Sequence, residues 1–178
     1  MATLEPSAVI VGVVIADLEV HRDERGIFVE TYRREWIAEA REMVQSNRAE
    51  RAAGSLVGLH YHLRQADYWH VVSGRARVVL HDLRQDSPTE GATLGLDLAA
   101  DRGLYIPCGV AHGIAAHTDV TLVYLVDGYF DPTDELGVAW DDPDVAADWG
   151  ISAPILSARD RANPRRADLP AYLRPHAT

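Results

Sequence analysis

Between Leu56 and Phe130 apolar and polar residues alternate in short runs, and each run is closed by turn-forming residues. Runs at 56–62, 68–73, 75–83, 93–98, 103–106, 111–116 and 120–129 predict strands, because alternation with a period of two marks a half-buried pleated segment. Ser73-Gly74, Asp86-Ser87-Pro88-Thr89 and Pro107-Cys108-Gly109 supply turn chemistry between them. Upstream, the β-branched stretch 7–20 reads as a strand, Asp23-Glu24-Arg25-Gly26 as a turn and 27–32 as a second strand. Trp36, Ile37, Ala40 and Met43 recur near helical spacing, so a short amphipathic helix is expected over 33–43. After Asp131-Pro132 the chain becomes irregular and acidic, then rich in proline and arginine. That part is expected to wrap the strands, with 165–178 as a tail that can be flexible. Many short strands and little helix predict an all-β antiparallel sandwich or barrel. Neither a repeat nor a linker interrupts the sequence, so residues 1–178 read as one domain.

Composition narrows the function classes. The chain has 178 residues, 47% hydrophobic and 25% charged, which suits a globular domain with a sizeable core. A formal net charge of -10 argues against nonspecific binding to nucleic acid or to an anionic membrane. A local arginine pocket can still hold a phosphorylated ligand. One cysteine, Cys108, excludes an intrachain disulfide and fits a reducing compartment. It reads as a small packed residue. With no signal-like start and no long apolar run, a cytoplasmic protein is the expectation.

The chemistry concentrates in Gly54-x5-His60-Tyr61-His62, followed by Asp67 and Gly74 and later by Pro107-x-Gly109-x2-His112. Strict alternation would put Leu56, Gly58, His60 and His62 on one face and Val57, Leu59 and Tyr61 on the other. Two histidines on one face, a carboxylate and a third histidine on a distant strand can converge inside a small barrel. Two kinds of chemistry are then open, a metal site or a metal-free acid/base site.

This spacing resembles the two signature motifs of the cupin superfamily, whose fold is a jelly-roll β-barrel. In its metal-binding members the corresponding residues, here His60, His62, Asp67 and His112, would hold one divalent ion. A closer resemblance runs over most of the chain, to the dTDP-4-dehydrorhamnose 3,5-epimerase family. It rests on Asp23-x-Arg25-Gly26-x-Phe28-x-Glu30, Val44-Gln45-x-Asn47, Gly58-Leu59-His60-Tyr61 and Asp82-Leu83-Arg84. Further on come Ser87-Pro88-Thr89, Ile106-Pro107-x-Gly109-x-Ala111-His112-Gly113, Tyr124, Tyr129-x-x-Pro132, Glu135-x-Gly137-Val138-x-Trp140 and Pro154-Ile155-Leu156-Ser157-x-x-Asp160.

The resemblance implies an isomerase of deoxysugar biosynthesis that epimerises a dTDP-4-keto-6-deoxysugar at C3, C5 or both, with no cofactor and no metal. A 4-keto group acidifies the protons on its neighbouring carbons. One base must remove such a proton and an acid on the other face must return it. The family's base corresponds to His60, its general acid to Tyr124, and the carboxylate that orients the base to Asp160. Imidazole, with an ordinary pKa of about 6.5, is matched to that task. Arg25, Phe28, Glu30, Gln45 and Asn47 correspond to residues that grip the nucleotide, and His62 and His112 would line the substrate. The family's N-terminal strand crosses to a neighbouring subunit, which implies a homodimer in which Arg25, Phe28 and Glu30 serve the partner's site.

Four positions depart from the family's usual pattern. Val57 stands where an arginine helps bind the diphosphate. Asp67, in Gln65-Ala66-Asp67, stands where a lysine can stabilise the enolate oxygen. His62 replaces a glutamine, and Phe130 a second tyrosine. A cation from His62, His70, Arg64 or a metal would be needed to offset Asp67. Alternative readings are a metal-dependent cupin enzyme using His60, His62, Asp67 and His112, or a non-catalytic sugar-nucleotide-binding barrel. The metal and base readings compete for His60.

Overall fold

A computed structural model describes residues 2–177; Met1 and Thr178, the two ends of the expected domain and tail, lie outside the described residues. Thirteen strands are named in chain order. They are β1 (Thr3–Pro6), β2 (Val14–Asp17), β3 (Val20–Asp23), β4 (Gly26–Val29), β5 (Gln45–Arg51), β6 (Leu56–Tyr61) and β7 (Asp67–Ser73). β8 (Ala76–Asp82), β9 (Thr93–Leu98), β10 (Arg102–Ile106), β11 (Val110–Ala116), β12 (Val120–Val126) and β13 (Leu136–Gly137) complete them. One sheet has the order β1-β2-β10-β7-β12-β5 and a second the order β13-β6-β11-β8-β9, while β3 and β4 form a separate hairpin. All pairings within the sheets are antiparallel.

The two sheets face each other across one core. Trp69, Val71, Leu104, Ile106 and Leu122 of the six-stranded sheet pack on Val78, Leu80, Leu96, Leu98 and Ile114 of the five-stranded sheet. Burial of such side chains is the main stabilising term, roughly 1.5–3 kcal/mol each. Outward-facing residues of the five-stranded sheet, including Leu59, Tyr61, Val79 and Ala111, are covered by Val138, Val145, Trp149 and Leu169 of the C-terminal region. The far side of the six-stranded sheet carries Tyr68 and Tyr105 under Ile37 and Ala40. This is the jelly-roll arrangement of a cupin, with the strands of 56–126 where alternation predicted them. No helix among the described residues is long and apolar enough to cross a membrane.

Two local expectations are corrected, and one strand lies where none was expected. The stretch 7–20 is not one strand. It turns at Gly12, with φ at +85°, and Ser7 Oγ accepts from the Val9 and Ile10 N–H groups. Ile10 and Val13 are fully buried, so the apolar run reflects burial, not extension. The amphipathic helix reduces to a 3-10 turn, Arg34–Trp36, whose neighbours Ile37, Ala40 and Met43 pack on Tyr68 and Tyr105. β5, with the polar sequence Gln-Ser-Asn-Arg-Ala-Glu-Arg, is a strand that alternation of apolar residues could not reveal. Towards the end of the chain, 3-10 turns at Arg166–Asp168 and Ala171–Leu173 lie against the sheet. There Tyr61 Oη donates to the Leu173 carbonyl at 3.0 Å, and His176 forms a parallel bridge with Gln85.

Candidate active site

The alternation along β6 breaks at Gly58. His112 pairs with His60 and Ile114 with Val57, so three steps on β6 oppose two on β11. Such a bulge moves the following residues to the other face. Val57 therefore packs into the core between the sheets, while Leu56, Leu59 and Tyr61 share the outer face. His60 and His62 keep a common inward face, but not the one that strict alternation assigned to Leu56 and Gly58. The position demands glycine. Gly58 has φ at +123°, and an added Cβ would lie 2.6 Å from Gly113 Cα and 2.8 Å from the His112 carbonyl oxygen.

His60 is held by Asp160. Its Nε2–H donates to Asp160 Oδ1 at 2.7 Å, and its side chain keeps 17% of its surface accessible while the aspartate is buried at 3%. Asp160 comes from a short helix, α1 (Ala158–Ala162), whose N-cap is Ser157. Ser157 Oγ accepts from the Asp160 N–H at 3.1 Å and donates to Asp160 Oδ2 at 2.7 Å. The Gly58 N–H adds a bond to Oδ1 at 3.3 Å. Burial pushes the Asp160 carboxyl up, but these bonds from His60, Ser157 and Gly58 outweigh it and hold the group below its ordinary value. A parallel bridge between Ser55 and Ile155 pins the segment beside β6. With the proton fixed on Nε2, the neutral ring keeps its lone pair on Nδ1.

Tyr124 lies on the opposite sheet. In the register it sits between Trp69 of β7 and Asn47 of β5, and it packs against the inner core. Burial, then the charges of Asp67 and Glu135, raise its phenol above the ordinary value, so the hydroxyl is protonated at neutral pH. Alternation along β5 gives Gln45, Asn47 and Arg51 the same face as Tyr124, and the Gln45 side-chain amide donates to Asn47 Oδ1 at 2.9 Å.

His62, Asp67 and His112 converge beside this pair, all buried. His62 Nδ1–H donates to the Asp134 carbonyl at 2.8 Å, and His112 Nδ1–H to the Val110 carbonyl at 3.0 Å. Burial lowers the His112 imidazole well below its ordinary range, against the attraction of Asp67. Asp67 accepts from Gln65 Nε2 at 3.0 Å and from Trp69 Nε1 at 2.9 Å. The four-ligand set expected from the cupin spacing is corrected here. His62, Asp67 and His112 form a group whose ligand atoms lie within 4.8 Å of one another, and His60 is turned to Asp160 instead. The expected competition for His60 therefore does not arise.

Other expected residues lie apart. Arg25, Phe28 and Glu30 belong to the β3–β4 hairpin and the residue after it. Arg25 pairs with Asp23 at 2.6 Å, Glu30 with Arg33 at 2.7 Å, and Phe28 is 70% exposed. Among the described residues their bonds and ion pairs are local to the hairpin and Arg33, and none is to His60. His70 faces away and donates to the Ala100 carbonyl at 3.1 Å, and Arg64 pairs with Asp131 at 2.8 Å, so neither offsets Asp67. Sequence reasoning gave no role to Arg51 or Ser157, and treated Glu135 only as part of a motif. Glu135 Oε1 lies 3.7 Å from His62 Nδ1 and pairs with Arg159. The signal for Ser157 was its place three residues before Asp160, the spacing of an N-cap.

A family model described as dTDP-4-dehydrorhamnose 3,5-epimerase matches residues 7–168. The chain is 34% identical over 170 residues to the dTDP-4-dehydrorhamnose 3,5-epimerase of Pseudomonas aeruginosa, covering 90% of this chain and 94% of that one. It is 37% identical over 153 residues to the dTDP-4-dehydrorhamnose 3-epimerase of Streptomyces niveus, covering 80% and 74%. A crystal structure of dTDP-6-deoxy-D-glucose-3,5-epimerase from Legionella pneumophila, in complex with dTDP-4-keto-L-rhamnose, superposes with a TM-score of 0.94. That structure has 28% identity over the whole of both chains.

Proposed function

The chain belongs to the dTDP-4-dehydrorhamnose 3,5-epimerase family, and from that membership we propose that it is an isomerase of deoxysugar biosynthesis acting on a dTDP-4-keto-6-deoxysugar. The reaction is inversion at C3, C5 or both, next to the ketone. The observation that carries this reading is the His60–Asp160 pair at 2.7 Å on one inner wall, with Tyr124 on the other.

His60 Nδ1 takes the proton from the carbon beside the ketone, and the electron pair moves onto the keto oxygen to give an enolate. Asp160 stabilises the imidazolium that forms and keeps the ring in the tautomer that can accept. Tyr124 returns a proton to the opposite face, which inverts the centre. A base and an acid on facing sheets suit this demand, since the flat enolate lies between them. A non-catalytic binding barrel has no use for a charge-assisted, oriented imidazole with an accessible lone pair.

For the nucleotide, Gln45, Asn47 and Arg51 line the inward side of β5, and Arg51 supplies a cation for the diphosphate where Val57 cannot. His62 and His112 border the sugar. The chain works as a homodimer in the cytoplasm, as one domain over its length, and the hairpin with Arg25, Phe28 and Glu30 enters the partner's site. The exposure of Ile27 at 60% and Phe28 at 70% supports that role, because an apolar hairpin tip in water is unfavourable unless it is covered. Incubation with dTDP-4-keto-6-deoxyglucose in deuterium oxide, followed by proton NMR, tests the function. Loss of the C3 or C5 proton signal is expected; retention of both at high enzyme concentration contradicts it.

A further inference from the structure

We propose that His62, Asp67 and His112 bind one divalent transition-metal ion beside the His60–Asp160 pair. The three side chains come from the residue after β6, from β7 and from β11, so both sheets contribute to one buried point. Each imidazole donates its Nδ1–H to a backbone carbonyl, of Asp134 and of Val110. In a neutral ring that leaves a bare lone pair on Nε2. The two Nε2 atoms lie 4.0 Å from Asp67 Oδ1 and 4.0 Å from Asp67 Oδ2. That separation is too long for either ring to share a proton with the carboxylate. Two imidazole nitrogens and a carboxylate thus face one buried space, the donor set of a cation site.

The surroundings are those of a ligand set held in place. Backbone carbonyls fix the tautomer and orientation of both imidazoles, and Gln65 and Trp69 hold the two carboxylate oxygens. Donor chemistry selects the ion. Two imidazole nitrogens and one carboxylate oxygen suit zinc, iron, nickel or manganese, whereas calcium and magnesium favour oxygen alone. Ligand atoms about 2.1 Å from such an ion lie roughly 3.0–3.4 Å apart. Inward movement of each side chain by under about 1 Å is then enough.

The ion's place in the reaction rests on the epimerase reading; its binding does not. The resemblance implied a lysine at the position of Asp67 and no metal. A divalent ion on one carboxylate leaves a single positive charge, the sign that an enolate oxygen requires. His60 stays outside the ligand set, so the base and the ion coexist.

Protein stripped with a chelator is titrated with Co2+ and, separately, with Zn2+, following heat of binding and thermal unfolding. One equivalent per chain and a raised Tm are expected, since an ion bound only by the folded state stabilises it. His62→Gln and Asp67→Asn, checked for folding by near-UV circular dichroism, should lose the tight equivalent and the rise in Tm. Absence of binding to the wild-type chain, or tight binding retained in both folded variants, overturns the site. A deuterium-exchange assay on the same samples separates the two readings. Binding without exchange on any dTDP-4-keto sugar leaves the site and removes the epimerase; exchange without binding does the reverse.

Discussion

His60 Nε2 donates to Asp160 Oδ1 at 2.7 Å, and that bond decides which ring nitrogen is free to act as base. The sequence separation is 100 residues, bridged by a helix cap at Ser157 and a glycine bulge at Gly58. Replacing the carboxylate by its amide removes the charge that stabilises the imidazolium. Asp160→Asn should therefore slow proton exchange by about 10²–10⁴-fold with little change in KM. A rate near that of the wild type would contradict the role. The same variant carries a pH signature. Because the native Asp160 carboxyl is held below its ordinary value, its contribution to stability is full above about pH 4 and is lost as pH falls through the lowered native value. In Asp160→Asn that part of the acid limb should disappear from unfolding curves.

Tyr124 offers a different division of labour. Its phenol, raised above the ordinary value, keeps its proton at neutral pH, and it lies on the wall opposite His60. Tyr124→Phe should slow formation of inverted product more than it slows wash-in of deuterium into unchanged substrate, because removal of the proton does not need the hydroxyl. Measuring both rates in one NMR time course checks this. Equal losses would show that the hydroxyl acts before or during proton removal.

The hairpin carrying Arg25, Phe28 and Glu30 predicts complementation between subunits. Arg25→Ala and His60→Ala proteins should each be nearly inactive alone. After mixing and exchange of subunits, half of the dimers contain one intact site, so activity should return to about a quarter of that of the wild type. No recovery despite demonstrated subunit exchange would mean that the hairpin serves its own chain.

Much of the fold was legible because the sheets that form the core alternate. β7, β8, β11 and β12 bury Val71, Val78, Leu80, Ile114 and Leu122 inward, and their strands are visible in the pattern. β5 was not visible for the opposite reason: its outer face meets water and its inner face, with Gln45, Asn47 and Arg51, is polar where a ligand would lie. The helix expected over 33–43 failed because Trp36, Ile37 and Ala40 are spaced by what they cover, Tyr68 and Tyr105, and not by a helical backbone. At the site, the sequence marked candidate residues but not which of them the fold brings together. Spacing alone grouped His60 with His62, Asp67 and His112. Only the folded position of Asp160 separates His60 from the other three.

The central claim is that His60 is the proton acceptor, and the most direct measurement is solvent-deuterium wash-in by His60→Ala. A dTDP-4-keto-6-deoxysugar is followed by proton NMR in deuterium oxide, with circular dichroism confirming that the variant is folded. Signals beside the ketone should persist in the variant while the wild type erases at least one of them. Wash-in at the wild-type rate would place the base elsewhere and contradict the mechanism.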